Sequence, residues 1–399
     1  MRSLFRLRRS CLKPLSDPKF FSATAKFGAR EFASSAYPTK VPARRRWTFF
    51  VVTVACGVLA YYEYTAYNKW KYDQVLNPTD FTPFILVGKE CISSTSSIFT
   101  LQPNLTAKNS RIYADAWEKS VWSIQVKQPQ LQIARSYTPL PPIDVNESTT
   151  DGAIRFLIRK DPKGEVSGYL HKLPLGATIE LRGPHIEYEL PEEVQEVLFI
   201  AGGTGIAPAL QIAHALFERS GESPRRNPKM RILWANRRRE DCLGGTSDIL
   251  EVETPMEAPD MEQMTEPRLM KDLVAYMSPQ TALVTQLDKL RAKSPGNIGI
   301  QYFVDEDNNF ITKDYLRLFL DDPWLDYANA LEKMGFDYQK KRWTNRYPPG
   351  SRLVLISGPD GFVKHYAGPK GWKDGREVQG HLGGMLKDID PKGWAVHKL

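Results

Sequence analysis

The chain has 399 residues, of which 42% are hydrophobic and 25% are charged, a composition typical of a globular protein with room for two ordinary domains. The formal net charge is +8, but twelve of the 54 lysines and arginines lie in residues 1–46, beside only two acidic residues. The remainder carries 42 basic and 44 acidic residues, so it lacks the basic surface that nucleic-acid binding requires. No two of the four cysteines have the C-x-x-C spacing of zinc, iron–sulfur or c-type haem sites, and no metal site is predicted.

The N-terminal part of the chain has the composition of an organelle leader followed by an apolar run. Residues 1–40 are rich in Arg, Ser, Ala and Phe and nearly free of acid, which is typical of a mitochondrial presequence; a disordered basic tail is the alternative. Residues 47–67 contain one charged residue, Glu63. Because about 20 such residues can cross a bilayer, we predict a transmembrane helix here, with a buried core helix as the alternative.

Charge predicts the orientation of that helix. Arginines occupy positions 44–46, directly before the apolar run, and the positive-inside rule therefore puts this end in the matrix. The predicted topology is a single pass through the mitochondrial inner membrane, with the rest of the chain facing the intermembrane space. Residues 68–80 are then a polar stalk.

Residues 81–190 have the pattern of a small antiparallel β-barrel. Short runs rich in Ile, Val, Phe and Trp are separated by turn residues, which indicates strands joined by hairpins. The predicted strands are Phe84–Lys89, Ser97–Leu101, Val121–Lys127, Leu131–Tyr137, Ile154–Arg159 and Thr178–Arg182. One helix, Ser167–Leu173, interrupts them, and Leu190-Pro191 marks the hinge into the second domain.

Residues 191–399 have the pattern of a doubly wound α/β domain. A buried strand at Val197–Ala201 runs into Gly202-Gly203-Thr204-Gly205 and then into a helix over Ala209–Arg219. A glycine loop at a helix N-terminus binds diphosphate groups, because the backbone can approach closely and the helix dipole favours an anion; a tight turn that binds nothing is the alternative. Further predicted elements are a strand at Met230–Ala235, an insertion over about residues 244–297 with a helix near Gln280–Lys293, a largely helical Phe310–Met334, and a last strand at Arg352–Ser357.

Two segments of the barrel carry candidate ligand-binding residues. In Arg135-Ser136-Tyr137-Thr138-Pro139, strand alternation puts Arg135 and Tyr137 on one face, a cation and an aromatic ring suited to a flavin, with the Thr138 hydroxyl beside them. An ordinary exposed strand is the alternative. Gly164–Ser167 opens the barrel's helix, where free N–H groups can bind an anion, or where Ser167 simply caps the helix.

Taken together, the ordered motifs Arg135–Pro139, Gly164–Ser167, Arg182–Pro184, Gly202–Pro208 and Ser357–Gly361 resemble ferredoxin–NADP reductase-type flavoproteins, and within them the NADH–cytochrome b5 reductases. The resemblance covers about residues 81–245 and 350–365. It implies an FAD-dependent reductase that uses NADH or NADPH, with Thr138 and Ser357 close to hydride transfer. The position of Ser357 usually holds Cys in this family, and this departure bears on the efficiency of the transfer. The residues implied to bind cofactor are Arg135, Tyr137, Thr138, Pro139, Gly164, Val166, Ser167, Gly202, Gly203, Thr204, Gly205, Pro208, Asn236, Asp241, Gly358 and Pro359.

The leader, the apolar run and the tail Gly380–Leu386 are similar to those of a fungal mitochondrial branch of the family that serves cytochrome c assembly. That resemblance implies a haem acceptor kept ferrous for attachment to apocytochrome c, with haem, apocytochrome c and haem lyase as partners. A mitochondrial NADH–cytochrome b5 reductase is the first alternative. A weakly catalytic assembly factor with a flavin fold is the second.

Two groups of residues give opposite indications of the nicotinamide nucleotide. Asp241 matches the NADH-preferring members, because a carboxylate repels a 2′-phosphate and accepts from a 2′-hydroxyl. Arg237, Arg238 and Arg239 have guanidinium groups that suit a phosphate, unless they are merely solvated. We expect both nucleotides to work, with NADH modestly ahead.

Overall fold

The computed structural model describes residues 43–72, 75–103, 109–143, 152–218, 228–248, 279–321, 348 and 350–399. The chain divides into two compact units, residues 1–62 and residues 63–399. The presequence predicted for residues 1–40 lies outside the described residues, as do the central part of the predicted insertion and the second half of the predicted helix Phe310–Met334.

Helix α1 (Ala43–Tyr72) covers the segment for which a membrane span is predicted. Its side chains from Phe50 to Tyr67 are exposed. Among the described residues, however, no helix combines the length and the apolar character that crossing a membrane requires. Four tyrosines and Glu63 follow Ala60, so the strongly apolar run is short. This finding corrects the predicted transmembrane helix over 47–67 and the single-pass topology that depends on it.

The first sheet is antiparallel and has seven strands in the order β4-β3-β7-β1-β2-β6-β5. The strands are β1 (Thr82–Cys91), β2 (Ser96–Pro103), β3 (Ser120–Gln128), β4 (Ile133–Tyr137), β5 (Pro139–Leu140), β6 (Ile154–Arg159) and β7 (Thr178–Glu189). The end strands β4 and β5 are separated in sequence by Thr138 alone. The sheet is therefore rolled until its two ends meet, and Thr138 lies at the seam.

Two helices pack on this sheet. Helix α3 (Glu165–Lys172) begins two residues before the predicted Ser167. Helix α2 (Asn109–Glu118) was not predicted, since it is short and half polar; it buries Tyr113 in a core with Trp122 of β3. Leu76, from the segment predicted as a polar stalk, is 1% exposed in the same core, and α1 extends to residue 72 of that segment.

The second sheet is parallel, with five strands in the order β10-β9-β8-β11-β14. They are β8 (Glu196–Gly202), β9 (Lys229–Asn236), β10 (Ile298–Val304), β11 (Arg352–Ser357) and β14 (Ala395–Lys398); β12 (Gly371–Lys373) and β13 (Arg376–Val378) form a separate hairpin. Side chains alternate between two cores: Phe199 faces one and Leu198 the other.

Helices cover both faces of this sheet, as the prediction of a doubly wound fold requires. Helices α4 (Ile206–Phe217) and α5 (Ala282–Lys293) contribute to the core around Phe199. Helices α6 (Lys313–Asp321), α7 (Asp360–Ala367) and α8 (Gly384–Ile389) contribute to the core around Leu198. The tail Gly380–Leu386 packs closely on α7, because a Cβ on Gly384 would lie 2.3 Å from the carbonyl oxygen of His365.

Candidate flavin and nucleotide site

The glycine loop is a short 3₁₀ turn, Gly203–Gly205, between β8 and α4. It packs directly on the turn that follows β11. A Cβ on Gly205 would lie 2.2 Å from the carbonyl oxygen of Ser357, and a Cβ on Gly202 would lie 2.8 Å from the ring of Phe362. Only glycine permits these approaches, so the loop and Ser357 are brought together by backbone packing.

The loop presents a helix N-terminus to its surroundings. Gly203 has φ +54°, a conformation that favours glycine, and its carbonyl oxygen accepts from the Trp234 indole N–H at 2.9 Å. Pro208 fits the first turn of α4 because N–H groups there have no intrahelical acceptor. These features leave backbone N–H groups and the positive end of the helix dipole at the loop.

The structure adds a cation that the sequence did not single out. The guanidinium Nη1 of Arg159 lies 3.7 Å from the position that a Cβ on Gly203 would take. Arg159 ends β6 of the first sheet, so this cation reaches the glycine loop from the other domain. The sequence predicts the strand at 154–159, but only the sheet order shows what its last residue faces.

The seam of the rolled sheet carries the predicted flavin residues. Arg135 is exposed and its Nη1 donates to the Ala134 carbonyl at 3.1 Å. Burial raises the pKa of Tyr137 to about 12, against a smaller opposite effect of Arg135, so its phenol is neutral. Thr138 is half-buried and Pro139 is buried. The chain therefore presents a cation, a neutral ring and a hydroxyl within four residues.

One buried side chain joins the seam to the glycine-loop helix. Gln211 of α4 is 0% exposed. Its Oε1 accepts from the Trp122 backbone N–H at 3.0 Å, and its Nε2 donates to the carbonyls of Trp122 at 3.2 Å and Pro139 at 2.9 Å. Sequence reasoning missed Gln211; a polar residue within an otherwise apolar helical run was the available signal.

The start of α3 is closed by its own residues. The Ser167 hydroxyl accepts from the Asp161 backbone N–H at 3.1 Å and donates to the Gly164 carbonyl at 3.2 Å. A Cβ on Gly164 would lie 2.6 Å from that hydroxyl, and Val166 is buried in the core. Ser167 thus shapes the helix start, and the backbone N–H groups there remain the means of binding an anion.

The residues expected at the adenosine end are both buried. Asn236 ends β9, and neither polar atom of its side chain has a hydrogen-bond partner within the described part of the chain. Asp241 is 6% exposed, and its Oδ1 accepts from the Ser93 hydroxyl at 2.6 Å. One oxygen of Asp241 is thus bonded within the protein, while its Oδ2 is buried and has no hydrogen-bond partner among the described residues. Arg238 pairs with Glu240, and Arg239 pairs with Asp307.

Comparison with known protein families identifies these two domains. Residues 83–190 match the family model described as the oxidoreductase FAD-binding domain, and residues 199–253 match the oxidoreductase NAD-binding domain. The chain carries both domains. Its cofactors are accordingly FAD and a nicotinamide nucleotide. The rolled antiparallel sheet is the FAD-binding domain, and the parallel sheet is the NAD-binding domain.

The chain is also similar to individual proteins. It is 33% identical over 146 residues to the cytochrome c mitochondrial import factor of Saccharomyces cerevisiae, covering 34% of this chain and 39% of that one. It is 26% identical over 266 residues to NADH-cytochrome b5 reductase 2 of Candida albicans, covering 64% and 63%. The cytochrome b5 reductase domain of Ulva prolifera nitrate reductase matches with 19% identity and a TM-score of 0.41, covering 72% and 91%. The chain thus spans 39% of the length of the first of these two curated relatives and 63% of the length of the second.

The residues present fit a bound FAD and a nucleotide. At Gly203 the space that a side chain would occupy is open, with Arg159 at its edge. On the FAD-binding side, the exposed Arg135 and the start of α3 supply a cation and backbone donors for a diphosphate. The glycine loop and the start of α3 thus supply backbone donors in different domains, and Arg159 of the FAD-binding domain adds a cation at the glycine loop.

Proposed function

We propose that this protein is an FAD-dependent NAD(P)H reductase that delivers electrons to a haem acceptor. The observation that carries the proposal is the buried Gln211, which fastens the helix of the glycine loop to the seam containing Thr138. Two domains joined in this way hold two cofactors in one fixed arrangement. Bound FAD supplies the chemistry, since it accepts a hydride from reduced nicotinamide and releases electrons one at a time.

The chain's own residues bind and orient the two cofactors. In this proposal Arg135 and the N-terminus of α3 bind the FAD diphosphate, and the ring of Tyr137 packs beside the flavin. The Thr138 hydroxyl would donate a hydrogen bond to the bound flavin. Gly202–Gly205 and Arg159 bind the diphosphate of the nicotinamide nucleotide, and Ser357–Pro359 bounds the nicotinamide, because the loop packs on that turn.

Haem is the acceptor that the similar proteins support. The relative in Saccharomyces cerevisiae is named for mitochondrial import of cytochrome c, and residues 1–40 have the composition of a mitochondrial presequence. We propose that the protein acts in the mitochondrion and keeps haem ferrous while haem lyase joins it to apocytochrome c.

Two other functions are each favoured by one observation. Similarity over 64% of the chain to a protein named NADH-cytochrome b5 reductase favours cytochrome b5 as the acceptor. The serine at position 357, where cysteine is usual, favours an assembly factor that binds flavin and turns over slowly.

Anaerobic reduction of the purified full-length chain tests these functions. NADH and then NADPH are added while the flavin absorbance is followed, and the reduced protein is mixed with ferric haem, cytochrome b5 or cytochrome c. Faster reduction of haem than of either cytochrome supports the proposal. Preferential reduction of cytochrome b5 supports the first alternative, and flavin that neither nucleotide bleaches supports the second.

A further inference from the structure

The FAD-binding domain sends one turn into the NAD-binding domain. The turn joins β1 to β2; it contains Ser93 and ends at Ser96, the first residue of β2. It contacts the 3₁₀ turn Arg239–Cys242 that follows β9. The Oδ1 atom of Asp241 accepts from the Ser93 hydroxyl at 2.6 Å and lies 3.4 Å from the Ser96 hydroxyl. All three side chains are less than 8% exposed, so this contact is dry.

A second contact supports the first from the outside. Glu240 accepts from the Ser94 backbone N–H at 3.0 Å and from its hydroxyl at 2.5 Å. Arg238 donates to the same hydroxyl at 3.0 Å. The hydrogen bonds from Ser94, followed by the contact with Arg238, lower the pKa of Glu240. Two adjacent carboxylates therefore bind one serine-rich turn of the other domain.

Further contacts link the same turn to the glycine loop. The Ser93 hydroxyl also accepts from the Ser96 backbone N–H at 3.1 Å, which fixes the shape of the turn. The Thr95 carbonyl then accepts from the Lys160 backbone N–H at 2.7 Å. Lys160 directly follows Arg159, whose guanidinium lies beside Gly203. A short chain of contacts thus runs from Asp241 to the cation at the loop.

We propose that Asp241 is a positioning residue that fastens the Ser93–Ser96 turn and thereby holds Arg159 at the glycine loop. Its Oδ1 accepts from Ser93, while its Oδ2 is buried and has no hydrogen-bond partner within the ranges that the structure describes. The proposal rests on the proposed function for the site at which the nucleotide binds.

The contact between Ser93 and Asp241 requires a hydrogen-bond donor at position 93 and an acceptor at position 241. Asp241→Ala removes the acceptor, and Ser93→Ala removes the donor and leaves a buried carboxylate without it, so both variants should loosen the turn. Asp241→Asn keeps an oxygen at the same place and should rescue the contact. Asp307→Ala is the matched control, because Asp307 bonds Arg239 of the same 3₁₀ turn from within the NAD-binding domain.

The experiment combines two measurements on the full-length protein. Amide hydrogen exchange is measured over residues 92–97 and 158–161 with no nucleotide added, and KM and kcat are measured with NADH and with NADPH. Asp241→Ala and Ser93→Ala should each speed exchange in both segments about tenfold. They should raise both KM values by about fivefold with little change in kcat. Asp241→Asn and Asp307→Ala should leave the exchange of both segments as in the wild type.

Other outcomes distinguish failure of the positioning role of Asp241 from failure of the proposed reductase function. An Asp241→Ala variant with unchanged exchange and a tenfold change in the ratio of NADH to NADPH activity would show that Asp241 reads the ribose. If neither nucleotide reduces the wild-type flavin, the proposed function fails, and the exchange data still decide whether Asp241 holds the turn. If Asp241→Ala does not fold, Ser93→Ala and Asp241→Asn provide the same comparison.

Discussion

The glycine loop and strand β4, which we propose to bind the two cofactors, are held in opposite ways. The loop is fixed by backbone packing, with Gly202 and Gly205 pressed against the turn after β11. Strand β4 lies at one end of its sheet, and none of its five side chains is fully buried. Substitutions in the loop therefore disturb the fold before they disturb a ligand. Substitutions at the exposed Arg135 and Ser136 of β4 should leave the fold intact and report on a ligand.

The largest effect on stability is expected for Gly205→Ala. Its Cβ would lie 2.2 Å from the Ser357 carbonyl oxygen, and backbone atoms cannot move aside as a side chain can. We expect a loss of about 3 kcal/mol or more in the free energy of unfolding, measured by chemical denaturation. Gly361→Ala in α7 is the control, since nothing lies within 4 Å of its Cβ position. Equal stability of the two variants would contradict the packing argument.

Gln211→Leu should have the next largest effect. It leaves three buried backbone groups of Trp122 and Pro139 without this partner, at a cost of about 2–3 kcal/mol. Gln286→Leu is the matched control, because Gln286 is also buried but donates one such bond, to the Pro141 carbonyl. Gln286 also bonds across the two domains, so equal losses of stability would show that the two additional bonds of Gln211 contribute nothing.

A smaller, pH-dependent effect is expected at His171 of α3. Burial is the main cause that lowers its pKa from the ordinary value of 6.5. His171 is therefore protonated at a higher pH in the unfolded chain than in the folded chain. The free energy of unfolding decreases as the pH drops below 6.5. His171→Gln should flatten this decline in thermal unfolding curves recorded between about pH 7 and 5. The exposed His365→Gln is the control, and an equal effect there would remove burial as the cause.

The smallest effect on stability is expected for Arg135→Ala. The side chain is exposed, and its one hydrogen bond among the residues that the structure describes is to its neighbour's carbonyl, so the change should stay within about 0.5 kcal/mol. The purified variant should nevertheless lose most of its flavin, because the diphosphate loses a cation. Ser136→Ala, on the opposite face of β4, should keep its flavin. Full flavin content in Arg135→Ala would show that this strand does not bind FAD.

The sequence was informative where the pattern is local. Alternation, short apolar runs and glycine signals predicted nine runs that are strands in the structure, seven from Phe84 to Ala201 and the two at Met230–Ala235 and Arg352–Ser357, and also the helix after Gly205. Long-range pairing decided the rest. Strand β10 lies beside β9 although about 60 residues separate them, and α2 has too few apolar residues to stand out. The roles of Gln211, Arg159 and Asp241 depend on contacts between domains, which no local spacing encodes.

The order of the parallel strands also has a kinetic consequence. Its central strand, β8, pairs with β11, and Glu196 meets Arg352 across a separation of 156 residues. Strands β1 and β2 of the rolled sheet, by contrast, are joined by a short turn. Contacts between distant residues form slowly, because a long loop must close first. The FAD-binding sheet can therefore form while β11 is still being synthesised, and the loop that needs Ser357 is completed only afterwards. The site that we propose for nicotinamide is therefore completed later than the FAD-binding sheet.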